Sequence, residues 1–370
     1  MSAFTQDAVG EYVRFAAAAE LPTTDQEIWR YSRIAELDLS EYHPVAYVPE
    51  IVGPAEFVVF GGRPAELFPD ETPDVFAELN RAIPTLVHIT IPAGTTISEP
   101  IEITHTVPAE GAVVCPRLII EAGADSEVTI VERFVSATDG ASLVVPVVQI
   151  HAAQAARVNY LAINELSHDA WQIGIQQAVG ERDSSTLLAS VSLGGDYARV
   201  RTQARLSGKG GSTRQVALYF AGGHQMHDFR TTQDHDAPHT TSDLLFKGAV
   251  QDDALSVYTG LIKIREHAKG SVAFQTNRNL TLSAGAWAES VPNLDIRTND
   301  VKCSHASTIG PIDEEQRFYL ESRGVRPEVA ERLVVLGFFD EVLMQLPARH
   351  LADGLRQRVA AKLNIGKAPS

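Results

Sequence analysis

The sequence predicts a mainly β fold, a strand-rich core over residues 84–310 between helical regions at 1–83 and 311–370. Three observations predict it. From Pro84 to Asp300, apolar and polar residues alternate with period two, the spacing that buries one face of a strand. Gly- and Asp-rich turns break this run at a loose interval of about twenty residues. Helical periodicity appears only before and after it.

Taken in order, Ala3–Glu20 reads as a helix with Phe4, Val9, Tyr12, Val13 and Phe15 on its apolar side, ended by Leu21-Pro22. Asp25–Asp38 reads as a second helix, with Ile28, Trp29, Ile34 and Leu37 facing inward. Prolines 44, 49, 54, 64 and 69 leave little room for long helices. Pro73–Ile83 is a third, short helix with proline at its start. In the core, Ala198, Val200, Thr202, Ala204 and Leu206 alternate with Arg199, Arg201, Gln203, Arg205 and Ser207. Val216, Leu218 and Phe220 alternate likewise with Gln215, Ala217 and Tyr219. Turns are expected at Ala122–Asp125, Gly194–Asp196, Gly208–Gly211, Lys247-Gly248, Lys269-Gly270 and Ala284-Gly285. After Gly310-Pro311 the helical signal returns over Asp313–Ser322, Pro327–Leu346 and Arg349–Leu363. The long middle one has Val329, Leu333, Leu336, Val342, Leu343 and Leu346 as its apolar side. Many short strands at this interval suit either an antiparallel sandwich or a β-helix, and periodicity does not separate them.

Composition bounds the function. A net charge of −16 over 370 residues argues against nucleic acid and against an anionic membrane surface as partners. Two cysteines, Cys115 and Cys303, make no disulfide framework and suit a reducing compartment. Neither a signal peptide nor an apolar run of membrane-spanning length is visible, so cytoplasm is the expected location.

Cys303 and His305 are soft-metal ligand types at i and i+2. On a strand both point to one face, with Cα atoms about 6.5–7 Å apart. Two ligands do not complete a structural metal site, so the rest must come from elsewhere, another chain included. A homodimer in isolation would pair the two residues across a two-fold axis. A second group, His224, His227, His235 and His239, would suit a β-helix or cupin-like metalloenzyme, although its spacing matches no closed zinc pattern. A polar turn with structural histidines is the simpler account. Gly208–Thr213 lacks the order of a phosphate loop and reads as a turn. No elbow motif supports a Ser-His-Asp arrangement. Cys115, before Pro116 at a strand start, reads as packing.

Four phrases carry a family resemblance: Gln275-Thr-Asn-Arg-Asn-Leu280, Pro292-Asn-Leu-Asp-Ile296, Asp300-Val-Lys-Cys-Ser-His305 and Asp313-Glu-Glu-Gln-Arg-Phe-Tyr-Leu320. They resemble the C-terminal core of the SufB/SufD proteins, scaffold subunits for iron–sulfur cluster assembly. Within that family, Lys302-Cys-Ser-His305 is the SufD version. The Gln275–Leu282 strand also lacks the sulfur-accepting cysteine of SufB. The resemblance implies a right-handed parallel β-helix and a non-catalytic subunit paired with SufB through the last strands. It further implies a SufC ATPase docked on the C-terminal helices, and Cys303 and His305 contributing to a transient iron–sulfur cluster at the SufB interface. Ala306-Ser307 stands where the family usually has Gly-Ala, which bears on the backbone beside His305.

Overall fold

A computed structural model describes residues 6–61 and 74–363. Its centre is a parallel β-solenoid of about eight turns with helices at both ends of the chain. Each turn contributes one strand to each of two facing sheets. Along the first run, in spatial order, Thr85–Ile91, Pro116–Ala122, Val147–Ala152, Ala170–Gly180, Tyr197–Leu206, Met226–His235, Leu255–Ile264 and Trp287–Ile296. Along the second run Ile101–Val107, Glu127–Ser136, Arg157–Glu165, Ser185–Ser192, Ser212–Ala221, Thr241–Val250, Ser271–Thr281 and Val301–Gly310. Successive strands in each of these runs pair in parallel. At the N-terminal end, Val58–Phe60 and Glu50–Val52 pair antiparallel with the first strands and close those edges. The parallel register excludes the sandwich.

The helices are α1 (Gln6–Ala18), α2 (Val75–Ala82), α3 (Glu314–Ser322), α4 (Pro327–Leu343) and α5 (Ala352–Lys362). Asp74 caps α2 by accepting from the Phe76 and Ala77 amides, and Asp313 caps α3 through Glu315 and Gln316. The expected helix over Asp25–Asp38 is replaced by two short 3-10 turns, Glu27–Trp29 and Ile34–Glu36. The reason is competition for backbone carbonyls. Arg199 Nη2 donates to the Ile28 carbonyl at 2.5 Å and Arg230 Nη2 to that of Arg30 at 2.6 Å, while Tyr31 takes φ +66°. Sheet arginines thus satisfy carbonyls that a helix would have used. Trp29 is buried beneath the Arg199 guanidinium, which lies 4.0 Å from its ring centre. In α1, Tyr12 is buried but Val9 and Val13 are exposed, and Phe4 lies outside the described residues.

Two patterns are buried on both faces rather than one. Ala198, Val200, Thr202 and Ala204 face the lumen. Arg199 and Arg201, on the outer face, are also buried, because the N-terminal segment covers that sheet. In Ser212–Ala221 the lumen face is Gln215, Ala217 and Tyr219, while Val216, Leu218 and Phe220 point outward into a cluster with Val335, Leu336, Phe339, Val342 and Val359 of α4 and α5. Val329 and Leu333, expected on the apolar side of α4, are exposed instead. Lys247-Gly248 is not a turn but lies inside the Thr241–Val250 strand. There Lys247 donates to the Phe338 carbonyl at 2.8 Å and pairs with Glu341 at 2.5 Å, fixing α4 to the sheet.

The open last turn as candidate functional site

Trp287–Ile296 and Val301–Gly310 end their sheets, and each has a strand neighbour on one side only. What lies on their lumen face follows from register. Leu294 and Ile296 stand over Ile262 and Ile264, and Cys303, His305 and Ile309 over Ala273, Gln275 and Asn279. One turn down, Ile262 and Ile264 are 0% exposed; Leu294 and Ile296 are 44% and 38% exposed. Asn279 is 2% exposed and Ile309 42%. The last turn is therefore a cross-section of the core, with its lumen side chains and two ten-residue backbone edges uncovered.

Cys303 and His305 sit on this uncovered lumen face. Cys303 is half-buried against Ile262, Ile264 and Ala273, and burial raises its thiol pKa above the usual value. The neutral thiol is thus the resting form, and a metal or a neighbouring cation must stabilise the thiolate. His305 is exposed. Ala306 points outward and is also exposed, while Ser307 donates to Ser290 Oγ at 2.6 Å across the lumen. The strand stays regular through the Ala306-Ser307 departure.

Beneath the pair lies a polar floor. Gln275 Nε2 donates to Tyr258 Oη at 2.6 Å, and that hydroxyl is 3.0 Å from Thr231 Oγ1. Asn277 Nδ2 donates to Tyr219 Oη at 2.9 Å, Tyr219 to Asn279 Oδ1 at 2.7 Å, and Asn279 Nδ2 back to Asn277 Oδ1 at 2.8 Å. Gly248 makes room for this ring: a Cβ there would meet Tyr219 at 1.9 Å and Asn279 at 2.5 Å. Sequence reading passed over this floor. Its signal was an inverted alternation in Ser271–Thr281, where polar Gln275, Asn277 and Asn279 are buried and Phe274 is 41% exposed.

The four histidines of the metalloenzyme expectation do not converge. His227 and His235 lie at the two ends of one strand, eight residues or about 26 Å apart. Burial, reinforced by Lys362, holds His227 near pKa 3; burial holds His235 at about 4. Both rings are therefore neutral near pH 7. His235 is fully engaged with Thr240 and Ser242 hydroxyls at 2.7 Å each. His224 and His239 are exposed in separate turns. Among the described residues no group of three or more His, Cys, Asp or Glu side chains could hold a metal ion. Gly208–Gly211 is a turn and Cys115 is buried in the apolar cluster under the N-terminal segment, as expected.

The fold is thus a parallel β-solenoid with one uncovered end, which carries Cys303 and His305, and with helices along one outer face. Residues 105–338 match the family model described as SUF system FeS cluster assembly, SufBD core domain, and the chain belongs to that family. A SufBD family protein of Mycobacterium bovis is 33% identical over 94% of this chain and 91% of its own length. The iron–sulfur cluster assembly protein SufD of Escherichia coli is 27% identical over 93% of the chain and 88% of its own. SufD of Bacillus subtilis is 29% identical over 70% of the chain and 59% of its own. No helix among the described residues is long and apolar enough to cross a membrane.

Proposed function

We propose that this chain is a SufD-like, non-catalytic subunit of an iron–sulfur cluster assembly complex in the cytoplasm. Its uncovered last turn seats a SufB-like partner, and its C-terminal helices dock a SufC-like ATPase. Cys303 and His305 supply a thiolate and an imidazole to a cluster that is cargo, shared with the partner and not permanently held. The observation that carries the reading is the uncovered end itself, where the only two neighbouring soft ligands of the last turn lie on its lumen face. Thiolate and imidazole are both iron ligands, and two of them need a partner's groups to complete a site.

The ATPase dock rests on a second observation. In α3 no residue is buried, and Phe318 and Tyr319 are 71% and 57% exposed. A groove of about 1040 Å³ lies beside α3 and α4, lined on one side by Tyr319, Leu320, Leu333, Val334 and Phe338 and on the other by Lys247, Arg278, Asp313 and Glu315. An apolar helix face without cover suits a partner protein.

Anaerobic co-expression with the neighbouring SufB-like and SufC-like subunits tests the proposal. A three-subunit complex that can be reconstituted with iron and sulfide is expected. The chain alone is expected to be colourless and to hydrolyse no ATP. A visible iron–sulfur spectrum from the chain alone, or no association with either subunit, overturns it.

A further inference from the structure

Gln275 lies one turn beneath His305, in register with it on the lumen face. It is 2% exposed, and its Oε1 is buried with no hydrogen-bond partner. A buried amide oxygen left unpaired is costly, on the order of 1–3 kcal/mol, so this atom calls for a partner. Its amide nitrogen is committed: Nε2 donates to Tyr258 Oη at 2.6 Å, which holds the side chain across the lumen. Gly260 leaves the space for it, since a Cβ there would come within 2.0 Å of Gln275 Nε2 and 2.4 Å of Tyr258 Oη.

The neighbouring polar groups are already engaged. Asn277 Oδ1 accepts from Asn279, and Ser290 and Ser307 bond each other. The free acceptor adjoining His305 in the sheet is thus Gln275 Oε1. A neutral imidazole has one N–H and one bare nitrogen, and which is which follows from the hydrogen bond the ring donates. Metal-binding histidines normally give their other N–H to such an acceptor, which sets tautomer and ring direction.

We infer that Gln275 is the positioning residue of His305: its Oε1 accepts the N–H on the ring side facing the lumen and turns the bare nitrogen toward the open end, where iron would bind. This rests on the reading of His305 as a cluster ligand. Gln275 does not itself touch the metal. Tyr258 and Gly260 act one step further back by holding the Gln275 amide in place.

The test uses the full-length chain with ¹⁵N-labelled histidine, the His305 signals being assigned by their loss in His305→Ala. One His305 tautomer is expected to dominate in the wild type, and the ratio to move toward an even mixture in Gln275→Met. Met fills a similar volume but offers no comparable acceptor. Gly260→Ala, which displaces the amide without altering Gln275, should reproduce the Met result. Co(II) titration, followed by thiolate-to-cobalt absorption, gives a second readout, with affinity expected to fall about 10–100-fold in Gln275→Met. An unchanged tautomer ratio in Gln275→Met overturns the inference. So does unchanged Co(II) affinity there beside lost affinity in His305→Ala, and the ligand assignment then stands. Unchanged affinity in His305→Ala overturns the assignment itself.

Discussion

His305 and Cys303 differ in what their removal takes from the fold. His305 is exposed, so His305→Ala should change stability by no more than about 0.5 kcal/mol. Cys303 packs against Ile262, Ile264 and Ala273, so Cys303→Ala should cost about 1 kcal/mol. Function should follow the opposite order. His305→Ala is expected to abolish cluster maturation in a suf deletion strain while the subunits still co-purify. Cys303→Ala should be milder, because the raised thiol pKa leaves little thiolate available to bind metal at neutral pH. Wild-type growth from the double variant would refute the site. The candidate pair was readable in the sequence because i and i+2 on a strand fix a shared face. Gln275, Tyr258 and Tyr219 beneath it were not, because period two tells which residues share a face but not whether that face looks into the lumen or out. Gln215 and Val216 show the ambiguity. Both faces of their strand are buried, one by the opposite sheet and one by α4.

At the scale of elements, α5 brings one buried cation against the sheet, beside its apolar Leu355 and Val359. Lys362 Nζ donates to the Leu193 carbonyl at 2.5 Å, the Phe220 carbonyl at 2.6 Å and Gln225 Oε1 at 2.5 Å. Burial pulls its ammonium down to about pKa 7, far below the value near 10.4 of an unfolded lysine. Between those two values the unfolded chain binds the extra proton, so stability rises with pH there; below about pH 7 both states are charged and the full cost of the buried charge is felt. Urea unfolding of wild type and Lys362→Met should therefore diverge above pH 7. The difference moves in favour of wild type by at most about 1.4 kcal/mol per pH unit. A gap constant from pH 6 to 9 would refute the titration. The helices also show where sequence reading holds and fails. Asp313, Gly324 and Pro327 mark ends that the structure keeps. Asp25–Asp38 failed because its competitors, Arg199 and Arg230, lie about 170 and 200 residues further on.

The same helices explain which truncation is informative. Val335, Leu336, Phe339, Val342 and Val359 cover an apolar face made by Val216, Leu218 and Phe220. Deleting everything after Gly310 would bare that face, and Phe339→Ala alone should cost about 3–5 kcal/mol. In contrast Phe318 and Tyr319 of α3 are exposed, so Phe318→Asp with Tyr319→Asp should leave the melting temperature within a few degrees of wild type. The double variant is expected to lose the ATPase in a pull-down. Retained binding would place the dock elsewhere on the chain.

For the whole molecule, the proposed function assigns two separate surfaces of the solenoid to two different partners. One is its end, where two strand edges and the lumen-face residues Leu294, Ile296 and Ile309 are uncovered. The other is the flank, where α3 packs on α4 and leaves Phe318 and Tyr319 exposed. An uncovered strand edge is a template for another chain, and Val301–Gly310, which has no proline, offers one more readily than Trp287–Ile296, which carries Glu289, Pro292 and Asp295. Cys303 and His305 sit between those edges, so under the proposed function a partner seated there would enclose them and supply further ligands. Placing charge on the end tests this without touching Cys303 or His305. Leu294→Lys with Ile309→Lys substitutes residues that are 44% and 42% exposed, so the solenoid itself should fold normally. Association with a SufB-like subunit, and self-association of the isolated chain in sedimentation velocity, should both be lost, while the ATPase is still captured through α3. The α3 variant should give the reverse pattern. If the end variant kept the SufB-like subunit and the α3 variant lost it, the assignment of the two surfaces would be inverted, and the ligand pair would lie away from the interface that must complete it.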